Sequence, residues 1–189
     1  KTDLKAELDH LHPAPDTWDR FGGFAKGPQL KATGHFRTEK DRTGRWWFVT
    51  PEGYLFFSVG LDVTRIMTDI TDASKHPGWY QGEIPADNKM AFTIWNLEKK
   101  FGKKDFASDY YDLVFRRFDS WGLNTIGNWS DGALTKLGRK AYVLAVVSKP
   151  ANAPKLANGF YDTLDPTFAD AMKAAVAAAV ATPDSKPNS

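Results

Sequence analysis

The chain has 189 residues, 42% of them apolar and 25% charged, which suits a folded domain and excludes a disordered tail or a collagen-like fibre. Lysine and arginine number 25 against 23 aspartate and glutamate, and a net charge of +2 leaves no electrostatic footprint for nucleic acid. Zero cysteines exclude disulfides, thiolate metal sites and a cysteine nucleophile together.

No run reaches the roughly 18 to 20 apolar residues that cross a bilayer, and Asp170 and Lys173 interrupt the Ala-rich stretch after Phe168. No membrane partner is expected. The chain opens at Lys1 with no initiator Met and no visible signal peptide, as expected of a processed protein or an excerpt. Aromatic residues reach 14%, with 7 Trp, 6 Tyr and 13 Phe; such rings fill cores and also stack on sugars.

Residues 1–33 show no sustained period and read as a connector. A short amphipathic turn from Leu4 to Leu11 precedes Pro and Gly breaks, and Trp18, Phe21 and Phe24 serve as anchors. From Gly34 the texture changes. Phe36 to Lys40 and Arg45 to Val49 predict a hairpin across Asp41-Arg42-Thr43-Gly44, and Thr50-Pro51-Glu52-Gly53 a second turn. Tyr54 to Leu61 is almost wholly apolar and predicts one strand buried on both faces, as in a parallel sheet. Residues 65–104 form a long, weakly patterned connection.

A helix follows, with Phe106, Tyr110, Leu113, Val114, Arg117, Phe118 and Trp121 on one stripe and Gly122 as its stop. Leu123 to Gly127 predicts a strand. Asp131 is placed to cap a short helix carrying Leu134 and Leu137, which ends at Gly138. Ala141 to Val147 predicts a further buried strand. Asp165-Pro166 opens a last helix, striped by Phe168, Met172, Val176 and Val180 and ended by Pro183; 183–189 is a polar tail. Strands alternating with helices predict an α/β protein with a parallel sheet and right-handed crossovers. Three such units are too few to close a barrel, which takes at least roughly 200 residues.

In parallel-sheet proteins the chemistry sits at the carboxyl ends of the strands. That rule selects Asp62-Val63-Thr64-Arg65, Asn128-Trp129-Ser130-Asp131 and Ser148-Lys149. An amide both donates to and accepts from a sugar hydroxyl, and an indole offers a stacking face, so Asn128 and Trp129 form the leading pair. The same residues also suit a purely structural role, with Asn128 satisfying backbone groups and Trp129 packing under a loop. No nucleophile elbow, phosphate-cradling glycine loop or H-E-x-x-H motif is present. His10 and His12 read as solvated, as do Asp69 and Asp72, so no metal and no cofactor is expected.

Two stretches, GHFRTEKDRTGRWWFVTPEGYLFFSVGLD (34–62) and FRRFDSWGLNTIGNWSD (115–131), resemble the opening of the catalytic barrel in β-agarases of glycoside hydrolase family fifty. The helix start Leu164-Asp165-Pro166-Thr167-Phe168 fits the same pattern, and the resemblance covers residues 18 to 182. It implies a partial TIM (β/α)8 barrel at 34–182, its first three βα units preceded by a β-hairpin. It further implies retaining hydrolysis of β-galactosidic bonds in agarose-type galactans, by a secreted or periplasmic enzyme. That chemistry needs two carboxyl groups about 5 to 5.5 Å apart. The family supplies them as glutamates on later strands, the first preceded by Asn, and this chain has no Asn-Glu pair. No catalytic residue is therefore assigned, and the polypeptide alone is expected to be inactive. The substrate-binding candidates are Asn128 and Trp129, with Asp62, Arg65 and Ser130 beside them. A non-catalytic carbohydrate-binding domain and a small α/β self-association module are the competing readings, since unpaired barrel edges favour self-association.

Overall fold

The computed structural model describes residues 2–76, 78–80, 82, 84–144, 153–157 and 159–181. Two compact units divide the chain between Ala141 and Tyr142. The third rim candidate, Ser148-Lys149, the end of the expected strand at 145–147 and the tail at 183–189 lie outside the described residues.

In the first unit, helix α1 (Thr2–His10) forms where a single amphipathic turn was expected. Its anchor is Glu7, whose carboxylate accepts from Lys100 Nζ at 2.6 Å and from Arg117 Nε, while Arg116 donates to the Leu8 carbonyl at 3.0 Å. The Arg117 hydrogen bond holds the Glu7 carboxyl below its usual range, against the opposing effect of burial. The segment up to residue 33 is fixed by Asp19. One of its oxygens accepts from Phe21 N and Gly23 N, and the other takes the Thr50 hydroxyl at 2.6 Å.

The expected hairpin is present as β1 (Arg37–Lys40) and β2 (Trp46–Val49), antiparallel with Arg37 opposite Val49. Asp41 shapes its turn. Its carboxylate accepts from Thr43 N, Thr43 Oγ1, Arg45 N and Trp47 Nε1 at 2.6–3.0 Å. The Thr43 hydroxyl bond, then the Trp47 bond, hold that carboxyl far below the usual carboxylate range. The expected turn at 50–53 also forms, with Gly53 N bonded to the Thr50 carbonyl at 2.9 Å.

The apolar run that predicted one strand is divided between two sheets. Leu55–Phe56 (β3) pairs antiparallel with β2, and Gly60–Leu61 (β4) belongs to a separate sheet. The run is not buried on both faces either: Phe57 is 72% exposed, Val59 39% and Leu61 43%. Among the described residues these side chains are left open to solvent, and the backbone changes sheets between residues 56 and 60.

The long connection has structure of its own. It holds the short antiparallel pair β5 (Thr71–Asp72) and β6 (Lys89–Met90) and a helix, α2 (Phe92–Phe101). Helix α3 (Ala107–Trp121) runs as the periodicity predicted and ends at Gly122, which takes the left-handed conformation (φ 69°) of a C-terminal cap. Its buried arc is wider than the expected stripe: Leu113, Val114, Phe115 and Phe118 are all buried, whereas Trp121 is exposed. Strand β7 (Thr125–Ile126) follows, then α4 (Gly132–Lys136) and β8 (Ala141–Tyr142), with β4-β7-β8 as the sheet order.

β4 and β7 are parallel, Gly60 opposite Thr125 and Leu61 opposite Ile126. Asn124, buried at the start of β7, is the polar centre of this junction. Its side-chain oxygen accepts from Val59 N at 2.9 Å and from Thr125 Oγ1 at 3.0 Å; its amide donates to the carbonyls of Phe57 at 2.9 Å and Gly22 at 3.2 Å. In the second unit, a turn around Leu156–Phe160 leads to α5 (Phe168–Val180), where Asp165 Oδ1 accepts from Thr167 N at 2.8 Å. Ala175 is its buried residue, while Val176 and Val180 of the expected stripe are exposed. Phe168 and Met172 of that stripe are half-buried, so the stripe is covered at its N-terminal end and open at its C-terminal end.

A methyl group on Gly60 would lie 1.9 Å from the Thr125 carbonyl oxygen. Gly60→Ala is therefore expected to lower the free energy of unfolding by about 1–3 kcal/mol, as overpacking does. Chemical denaturation measures it, and an unchanged midpoint would contradict this register.

Candidate functional site

The parallel ladder does not end where the strands do. Beyond β4 and β7 the chains continue side by side as two loops, 62–66 and 127–131, joined by alternating backbone and side-chain hydrogen bonds. Asp62 Oδ1 accepts from Asn128 N at 2.7 Å, and Val63 N donates to the Asn128 carbonyl at 2.8 Å. One step on, Thr64 N donates to Ser130 Oγ and Asp131 N donates to the Thr64 carbonyl, both at 3.0 Å. Last, Ile66 N donates to Asp131 Oδ2 at 3.0 Å. Gly127 permits this closeness, since a Cβ there would sit 2.1 Å from Asp62 Oδ1.

Four of the five candidate residues are thus brought together. Asp62, Asn128, Trp129 and Ser130 lie within one laced rim. Arg65 stands beside it: its carbonyl accepts from Tyr110 OH at 3.3 Å and its Nε contacts Met67 Sδ at 3.0 Å. Asn128 Oδ1 is buried without a hydrogen-bond partner among the described residues, a costly state for an amide oxygen. Next to it Trp129 is 67% exposed and adopts φ 56°, and across the lacing Val63 adopts φ 57°. A left-handed backbone at a bulky or β-branched residue is strained, and such strain gathers at functional sites.

Asp131 departs from the sequence reading. It occupies the N-cap position of α4 but makes no side-chain cap bond. Instead its Oδ2 accepts from Ile66 N and from Tyr111 OH at 2.9 Å, which ties both loops to α3. Tyr110 entered the sequence reading only as part of an apolar stripe, and Tyr111 not at all. A half-buried tyrosine hydroxyl requires a partner, and that requirement was the available signal. Gly127 likewise signalled close approach, as an isolated glycine in a strand does.

Burial, then the hydrogen bond to Asp131 and its charge, push the Tyr111 phenol up to about 12, and burial raises Tyr110 as well. The folded state therefore keeps the Tyr111 proton where the unfolded chain releases it, near 10. Stability from this group is complete below about pH 10 and is lost as pH rises towards about 12. Alkaline denaturation midpoints are expected to show this slope in the parent and a shallower one, left by Tyr110, in Tyr111→Phe.

Among the described residues no three His, Asp or Glu side chains cluster as a metal site, and no helix is long and apolar enough to cross a membrane. No protein-family model matches the chain. Two curated relatives do, both from Vibrio sp. (strain JT0107). β-Agarase B is 28% identical over 199 aligned positions, covering 82% of this chain and 21% of the relative. β-Agarase A is 31% identical over 140, covering 60% and 14%. The chain thus spans about a fifth or less of the length of these relatives. Among solved structures, an exo-β-agarase superposes with a TM-score of 0.59 at 26% identity, over 75% of this chain and 28% of that one. PfGH50B gives 0.62 at 25% identity, over 75% and 27%. The agarase AgWH50C gives 0.66 over 95% of this chain and 31% of that one; at 22% identity it speaks to the fold alone. Over most of its length, in sequence and in fold, this chain resembles the β-agarases of glycoside hydrolase family fifty.

Proposed function

We propose that these residues form the opening βα units of a family-fifty (β/α)8 barrel and supply one wall of its galactan-binding cleft. The carrying observation is the pairing of Asn128, whose buried Oδ1 has no donor among the described residues, with the exposed indole of Trp129, at the carboxyl end of β7 beside β4. A sugar hydroxyl supplies the missing donor, and the C–H face of the same ring rests on the indole. Asp62 and Ser130 shape this wall through their bonds to the facing loop, and Arg65 flanks it.

The wall carries no hydrolytic pair. Asp131 Oδ2 is engaged by two donors and Asp62 Oδ1 by a backbone N–H, so both rim carboxylates serve the architecture. Retaining hydrolysis of the β-galactosidic bond then rests on glutamates outside these 189 residues. The exposed Phe57, Val59 and Leu61 fit the same reading, because an inner barrel strand expects cover on every side. A groove of about 220 Å³ lies between β4 and α3, where Asp62, Thr64, Tyr110 and Arg117 share the lining with apolar side chains such as Leu61 and Phe118. Left without that cover, the apolar face and the free edge of β4 favour self-association. A polymer such as agarose does not enter cells, which supports a secreted or periplasmic parent enzyme.

Two measurements test this reading. The polypeptide alone is expected to release no reducing ends from agarose, and robust turnover would overturn the division of labour. Titration calorimetry with agaro-oligosaccharides is expected to detect binding that Trp129→Ala weakens about tenfold or more. Binding untouched by that substitution would remove Trp129 from the site. Sugar binding without hydrolysis, persisting when the rest of the parent enzyme is supplied, would favour the non-catalytic carbohydrate-binding reading.

A further inference from the structure

We infer that Tyr111 and Asp131 form a positioning strap that holds Trp129 in its left-handed, outward-facing conformation. The inference deepens the sugar-site reading, on which its functional consequence rests, but its structural half stands independently. A non-glycine residue at φ 56° costs on the order of 1–3 kcal/mol and persists only where its neighbours over-determine it. Trp129 has such neighbours. Before it, both backbone polar groups of Asn128 are bound, to Asp62 and to Val63. After it, Ser130 Oγ and Asp131 N are both bound to the backbone of Thr64.

The facing loop cannot provide this restraint unaided, because it is strained at the β-branched Val63. The register of β4 and β7 sets where the two loops begin, but beyond it the lacing joins one strained segment to another. A second fixed point at their outer end comes from α3, a 15-residue helix whose Leu113, Val114, Phe115 and Phe118 are buried. Tyr111 OH reaches Asp131 Oδ2 at 2.9 Å, the same oxygen takes Ile66 N at 3.0 Å, and Tyr110 OH holds the Arg65 carbonyl at 3.3 Å. Both loops are thereby pinned to the helix. Asp131 gives up the α4 cap bond its position offers in order to make this connection. A carboxylate diverted in this way from an N-terminal cap marks where the structural demand lies.

The test follows Trp129 by NMR in the full chain without sugar, its indole assigned by Trp129→Phe. In Tyr111→Phe and in Asp131→Ala, the Trp129 backbone shifts and coupling are expected to move towards ordinary negative-φ values. The other six indole signals should hold their positions. Asp131→Asn retains an acceptor for Tyr111 and should produce a smaller change. An unmoved Trp129 in both Tyr111→Phe and Asp131→Ala overturns the strap. So does a uniform change across all seven indoles, which would make the pair ordinary core. Calorimetry with agaro-oligosaccharides then separates the two layers. Tyr111→Phe is expected to weaken binding about five- to tenfold. If the parent chain binds no sugar, or Trp129→Ala binds as well as the parent, the site reading fails while the resonances still decide the strap.

Discussion

A single buried amide sets the frame on which the rest depends. Asn124 joins three parts of the first unit: the N-terminal segment through Gly22, the linker between β3 and β4 through Phe57 and Val59, and its own strand through Thr125. Without it, the part-buried Val59 N–H and the carbonyls of Phe57 and Gly22 would lose these partners at once, and unmade bonds of that kind cost more than made ones contribute. The amide also fixes the register in which Gly60 lies against Thr125. That register brings the two rim loops within hydrogen-bonding distance, so the surface chemistry at one end of the strands inherits its geometry from an interaction at the other.

The rim shows how local strain and polar bonding are traded. Val63 and Trp129 both sit in a conformation that bulky side chains avoid, and both are embedded in a ladder that alternates side-chain and backbone partners. Among the described residues, Asn128 Oδ1 is the buried side-chain atom of the lacing that has no hydrogen-bond partner. A buried acceptor without a donor calls for an explanation, and the sugar hydroxyl proposed above, with its ring on the neighbouring exposed indole, is the one offered for it.

Much of this was legible beforehand. Hairpin, turn, α3 and its glycine stop follow from local rules of spacing and turn chemistry, and the position of Asp62 and of Asn128 to Ser130 just past β4 and β7 follows from the strand pattern. The division of the run from Tyr54 to Leu61 was not legible, because hydrophobicity records the wish for burial and not which sheet grants it. Helix α2 escaped because its apolar residues are interrupted by Asn96, Glu98, Lys99 and Lys100 and no residue in its sequence supplies a side-chain cap. Asp131 was read by its neighbours in sequence, which call for a cap. Its actual partners, Ile66 and Tyr111, are 65 and 20 residues away.

Two of the three sheets among the described residues, β1-β2-β3 and β4-β7-β8, differ greatly in how far apart their partners lie along the chain. β1 and β2 are separated by one short turn, so their hairpin can close within microseconds of the chain becoming free. The parallel pair joins positions such as Asp62 and Asn128, 66 residues apart, and must wait until the intervening helices have condensed and the loop entropy has been met. During that interval Phe57, Val59 and Leu61 stand beside an unpaired backbone edge, next to a hairpin that is already native. The hazard in biosynthesis is therefore local: the few residues between a fast-forming ribbon and a late-forming one are those a chaperone would need to shield.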